Sequence, residues 1–288
     1  MNTNEFINFK KERDLGDMIS DTFTFLKFEW KPFFTTIIEI AFIPILFSIA
    51  SSIYFLITFS DFITGISNLN DIEYYQEVSP NFGMFFISLG AVLVLYLISY
   101  IMINSSALYY IKSYSDNQGK IDYDDIKNMA TDKFWSFLAL YVIIGFIVFA
   151  GILFCFLPGI YFAVVLSLSS CILVFFNQGS LESIGNSFNY IKGNWWNTFG
   201  ILIVTSLIVG VINFVLQFPL IIYQFSQTDP FVLSDTTELM NLYKDPIYLF
   251  LTVFSEIIKY LLIPVSLIVA TFIFFDINEQ QNNNSVTN

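Results

Sequence analysis

Glu39, Glu256 and Lys259 are ionisable residues set inside long apolar runs. A charge at bilayer depth costs a few kcal/mol on insertion scales and marks a functional hypothesis by default. Glu256 and Lys259 are spaced i, i+3, so on a helix they share a face and can pair. Pro264 follows, and its missing N–H can open the local backbone. Two chemistries fit. One is a polar path for protons or a solute between the first and last apolar runs. The other is a structural pair that fixes helix register, and it is favoured because a single Glu–Lys pair neutralises itself. Asn104, Ser105, Ser106, Ser169, Ser170, Asn213 and Gln217 can line such a path or bond between helices.

Other site chemistry is poorly supported. The chain has no histidine, which excludes His-dependent catalysis. No Walker loop, nucleophile elbow, CxxC or HExxH is present. Cys155 and Cys171 lie in apolar runs and read as small hydrophobes rather than a disulfide or metal pair. Asp61, Asp71, Glu73 and Glu77 cluster before Asn81, and Asp229, Asp235, Glu238 and Asp245 cluster after Gln224. Neither cluster has the closely spaced D-x-D-x-D ladder of a calcium loop, so both read as solvated loops. Asp122 reads as the cap of a short helix ahead of Ile126 and Met129. The expectation is no catalytic, cofactor-binding or metal residue, and no cofactor.

The elements that carry these residues follow from composition and periodicity. The 288 residues are 56% hydrophobic and only 12% charged, about half the charge of a soluble domain. That predicts an all-α polytopic membrane bundle, one membrane domain over 1–288. A net charge of −12 with no basic face argues against nucleic acid. Residues 1–12 read as a loose polar lead, and no cleavable signal peptide is expected. An amphipathic helix is predicted over 14–31, capped by Asp14, with Leu15, Met18, Ile19, Thr22, Leu26 and Trp30 on one face, lying either in the membrane interface or against the protein's own cytosolic loops. Lys31-Pro32 then turns the chain into six spans at about 33–59, 84–111, 134–156, 160–176, 198–223 and 247–275, each near the ~20 residues a bilayer needs. Pro44 is expected to kink the first.

Pro158-Gly159 reads as the tight turn of a hairpin between the third and fourth spans. A second interfacial helix is predicted over 180–193. Ser180 caps it, Leu181, Ile184, Phe188, Ile191 and Trp195 share its apolar stripe, and Glu182 faces the other way. Gly193 ends it in the left-handed conformation, Asn194 caps the fifth span, and Trp195-Trp196 anchor at headgroup depth.

Orientation follows from Lys and Arg. Lys10, Lys11, Arg13, Lys27, Lys31, Lys112, Lys120, Lys127, Lys133 and Lys192 fall on one side of the six spans, and Lys244 alone on the other. The positive-inside rule then puts both termini in the cytoplasm.

Phe156-Leu-Pro-Gly-Ile-Tyr161, followed by Ser180-Leu-Glu-Ser-Ile-Gly-Asn-Ser-Phe-Asn-Tyr-Ile-Lys-Gly-Asn-Trp-Trp196, resembles the core of bacterial six-span proteins. These are similar to the glycerophosphoryl diester phosphodiesterase membrane domain and to YciC-like inner-membrane proteins. The stretches from Arg13 to Phe25 and Phe274-Phe-Asp276 resemble the two ends of that family. The resemblance implies a multi-pass inner-membrane protein and brings no catalytic residue. Its phosphodiesterase domain is a separate soluble barrel that this chain is too short to hold. Relatives labelled carotenoid monooxygenase hold iron with histidines, which this chain lacks.

The function expected is therefore a non-enzymatic membrane protein that scaffolds or regulates envelope partners in the bilayer. The alternative is a transporter or channel working through Glu39, Glu256 and Lys259. An intramembrane enzyme ranks last.

Overall fold

A computed structural model describes residues 6–67, 81–227 and 240–286. Every regular element among them is helical: α1 Leu15–Ser67, α2 Phe82–Asp116, α3 Tyr123–Asp132, α4 Phe134–Phe154, α5 Phe156–Leu166, α6 Ser169–Phe175, α7 Ser180–Ile191, α8 Trp195–Leu216, α9 Phe218–Gln227 and α10 Pro246–Val286. Six segments are long and apolar enough to cross a membrane, with α5 and α6 together making one. Asp71, Glu73, Glu77, Asp229, Asp235 and Glu238 lie outside the described residues.

Helix ends follow local chemistry. Asp14 caps α1, accepting the Asp17 N–H at 2.7 Å, and Asp122 caps α3 through the Asp125 N–H. The turn expected at Lys31-Pro32 does not form, and α1 runs straight through it. The reason is packing. Met18, Thr22, Phe25, Glu29, Phe33 and Ile37 are buried at i+3/i+4 spacing across the proline, enough to offset its lost helix bond, about 3 kcal/mol. That stripe also corrects the expected face, since Trp30 is exposed and Glu29 is inside. The fifth span breaks at Gln217, just ahead of Pro219, into α8 and α9. The fourth breaks at Ser167, whose hydroxyl donates to the Val164 carbonyl at 2.8 Å and competes with the helix ladder.

The α4–α5 hairpin is tighter than a Pro-Gly turn. The break is Cys155, in extended conformation, while Pro158 and Gly159 belong to the first turn of α5. Proline is tolerated there because that N–H has no helical partner. Gly159 serves close approach instead: a Cβ on it would sit 2.4 Å from Ile152 Cγ1 and 3.0 Å from the Ile152 nitrogen.

The chain divides into two compact units. Unit 1 holds Met1–Ala41, Tyr100–Gly210 and Leu262–Asn288. Its core includes Phe9, Phe25, Phe33, Tyr110, Phe137 and Phe272, all fully buried, and burying such a ring contributes about 1.5–3 kcal/mol. Residues 6–13 are not loose. Phe9 stacks on Phe272 at 4.5 Å and meets Phe25 edge-on, while the Ile7 N–H donates to the Tyr114 hydroxyl at 3.2 Å.

Unit 2 holds Phe42–Ser99 and Val211–Leu261. Ser48 and Tyr260 hydroxyls meet at 2.6 Å, Ser60 donates to the Met240 carbonyl at 2.7 Å, and Phe62 stacks on Phe85 at 4.4 Å. Asp245 caps α10, accepting the Ile247 and Tyr248 N–H groups at 2.9 Å each. Those of Tyr248 first, then the Tyr223 phenol, hold its carboxyl below the usual range.

Candidate functional site

Four polar assemblies emerge, and only one involves two of the three expected ionisable residues. Glu256 and Lys259 pair at 2.8 Å in unit 2, with the lysine side chain 44% exposed and the carboxylate 17%. Tyr96 lies within the electrostatic reach of both. Glu39 belongs to unit 1 and is exposed. It accepts a hydrogen bond from Tyr123, the first residue of α3; burial first, and this carboxylate second, push the phenol up.

The most built assembly centres on Arg13, whose side chain is 1% exposed. Its Nε donates to Asp21 at 2.8 Å, and Nη1 to the carbonyls of Phe9 at 2.9 Å and Lys11 at 3.1 Å. Nη2 donates to the Asn8 carbonyl. The guanidinium also lies 4.5 Å from the Phe272 ring centroid, a cation–π geometry. The Arg13 backbone N–H donates to Asp276 at 2.8 Å, and Gln280 donates to the same carboxylate at 2.9 Å. A planar fork with fixed donors suits this role better than a lysine point charge. Also in unit 1, buried Glu29 accepts the Tyr110 hydroxyl at 2.9 Å.

The fourth is a cavity of about 310 Å³ in unit 1, with Tyr100, Asn104, Tyr141, Ser167, Ser170 and Ser266 as its polar wall and aliphatic side chains as the rest. No charged residue lines it. That is the small end of ligand pockets and the space of about ten liquid waters. Asn104 commits its amide to the Tyr100 carbonyl at 2.7 Å. Ser105 and Ser106 instead bond back to Met102, and Asn213 pairs with Gln217 at 2.6 Å. Ser169 Oγ is buried without a partner.

The motif around α7 takes a different geometry from the expected one. Gly179, not Ser180, is the N-cap; the Ser180 hydroxyl donates to the Ser136 carbonyl at 2.7 Å. Glu182 sits in the exposed first turn. Leu181 is exposed, and the buried face is Ser183, Ile184, Ser187, Tyr190 and Ile191. Two serines can be buried there because each returns its hydroxyl to a helix carbonyl. Tyr190 donates to the Phe274 carbonyl at 3.0 Å, and burial pushes its phenol up. Gly193 takes φ +92° after α7, a conformation only glycine adopts cheaply. Asn194 caps α8 with its backbone carbonyl, while its side chain meets Gln280. Trp195 stacks on Phe199 at 5.0 Å and on Tyr161 at 5.9 Å; Trp196 is exposed. Among the described residues no three His, Cys, Asp or Glu side chains converge on a metal-sized site.

A family model described as an uncharacterised protein family, UPF0259, matches residues 15–251. The chain belongs to UPF0259. No curated protein and no solved structure matches it. The UPF0259 match takes in α7 and the whole α4–α5 hairpin, and stops within α10 before Asp276.

In the sequence Arg13 and Asp276 fall in the two end stretches of the resemblance, 263 positions apart, and nothing local brings them together. The available signal was that Arg13 is the one arginine in a chain of lysines. The tyrosines of the cavity carried no signal, because tyrosine in a span also reads as a lipid-facing anchor.

Proposed function

We propose that this UPF0259 chain is a non-catalytic, multi-pass protein of the bacterial inner membrane that scaffolds or regulates envelope partners. The observation that carries the reading is the commitment of its charged groups to structure. Arg13 is held by Asp21 and three carbonyls, Glu29 by Tyr110, and Lys259 by Glu256. The Lys/Arg skew supports cytoplasmic termini, and the resemblance to YciC-like proteins supports the inner membrane. Reporter fusions at Lys120 should read inside and at Gln227 outside; the reverse would sink the orientation.

A transporter working through Glu39, Glu256 and Lys259 loses support, since each already holds a partner. The deciding experiment is complementation of a deletion by the double variant Glu256→Gln/Lys259→Met, with co-purification in mild detergent. Scaffolding predicts that the double variant complements and retains the same co-purifying membrane proteins. A folded double variant that fails to complement would return the reading to transport. The charge-free cavity favours a second reading, in which unit 1 holds a neutral amphiphile. Dioctanoylglycerol should then raise the melting temperature more than dioctanoylphosphatidic acid does, and no preference between them would discard it.

A further inference from the structure

The α4–α5–α6 segment is expected to cross the bilayer twice, with its turn on one face and Trp195 on the other. The contacts inside unit 1 disagree. Trp195 opens α8 directly after Asn194, whose side chain meets Gln280 at 3.4 Å, and Gln281 donates to the Tyr190 carbonyl at 3.4 Å. Gln280 and Gln281 lie in the polar run Asn278-Glu-Gln-Gln-Asn282, so Trp195 sits at a water-facing end. The hairpin turn reaches that same end. Tyr161 stacks on Trp195 at 5.9 Å, Phe162 meets Phe188 of α7 at 6.2 Å, and Leu157 and Ile160 share a groove with Trp196 and Phe199. The other end of the segment is there too. Phe175 stacks on Phe274 at 5.2 Å, Lys112 donates to the Val174 carbonyl at 2.9 Å, and Lys133 to Asn177 at 3.1 Å. Rings in contact cannot sit on opposite faces of a hydrocarbon layer about 30 Å thick.

The geometry points to a re-entrant hairpin: α4–α5–α6 enters and leaves through one face, and its turn lies among the acyl chains of that leaflet alone. The turn has the chemistry for it. No charged residue occurs from Phe134 to Leu181. Phe146, Leu153, Phe154, Phe156 and Leu157 are exposed, Phe154 by 90%. An apolar surface of this kind on an aromatic-rich hairpin matches acyl chains, as interfacial amphipathic helices do. At the turn, Cys155 donates its N–H to the Gly151 carbonyl at 3.1 Å and Pro158 has no N–H, which lowers the backbone polarity carried into the leaflet. The partner assigned to this surface is therefore the lipid of a single leaflet, into which the protein drives an extra wedge of side chains.

Two native cysteines make the test direct. Cys155 is exposed at the turn and Cys171 is buried. In right-side-out spheroplasts, a membrane-impermeant maleimide should label a Gln227→Cys variant at least about tenfold faster than native Cys155, since exposure governs thiol access. Cys155 labelled from the Gln227 side would overturn the proposal whichever way the chain is oriented. Should a Lys120→Cys variant label from outside instead, the orientation proposed above fails, and Cys155 must still part from Gln227. Cross-linking supplies the second arm. Copper-phenanthroline should join Tyr161→Cys to Trp195→Cys, in a Cys155→Ser background, within native membranes. No cross-link in a chain that reaches the membrane at wild-type level would also overturn it.

Discussion

Arg13 and Lys259 are both cations paired with a carboxylate at 2.8 Å, yet their surroundings differ. The Arg13 side chain is 1% exposed and makes further bonds to three carbonyls. Lys259 is 44% exposed and pairs with a residue on its own helix turn. The first arrangement ties the amino-terminal segment to α1 and α10, whereas the second fastens a helix to itself. A guanidinium desolvated to this degree leaves uncompensated groups behind when it is removed. An i, i+3 pair contributes little to the fold, and its significance depends on whether lipid surrounds it.

The largest expected effect comes from breaking the buried partner set. Arg13→Met should cost about 3–5 kcal/mol by stranding Asp21 and three carbonyls. Thermal melting of the purified protein would show it, and Arg13→Lys should restore less than half, because a point charge cannot fill a fork. Melting unchanged by either substitution would place the latch outside the cooperative core. Next, Lys259→Met should cost about 2–3 kcal/mol if Glu256 is left in hydrocarbon. The same substitution costing nothing would show that Glu256 reaches water. Tyr110→Phe leaves buried Glu29 without its donor, a loss of about 1–3 kcal/mol. Equal stability of Tyr110→Phe and wild type would mean that water or another group replaces the phenol. The smallest effect belongs to Glu256→Gln/Lys259→Met, expected within about 1 kcal/mol of wild type. A double variant as unstable as Lys259→Met alone would give the pair a role comparable to the latch.

The helical architecture was legible because composition and run length report on burial in lipid, whatever packs against what. The caps Asp14 and Asp122 and the left-handed Gly193 were legible because they are local. What escaped was set by tertiary contact. Pro32 does not break α1, because a buried stripe on both sides of it outweighs one lost bond. Pro158-Gly159 reads as a turn in one dimension, yet its glycine answers to Ile152 across the hairpin. Ser180 looked like a cap and instead reaches Ser136. Of the candidate site, the Glu256–Lys259 spacing could be read directly. Glu39 could not, since Tyr123 is distant in sequence. The stacking of Tyr161 on Trp195 was likewise hidden, because run length cannot say what an apolar hairpin packs against.

The bond from the Arg13 N–H to Asp276 spans 263 positions of the chain. At ribosomal rates of about 5–20 residues per second, the first partner waits on the order of 10–50 s for the second. Through that interval Phe9 has no Phe272 to stack on, and Arg13 has no aromatic face to lie over. Phe9 and Arg13 therefore reach their final packing only after α10 has been made. A chain stalled or clipped ahead of Phe272 can insert its helices but cannot close.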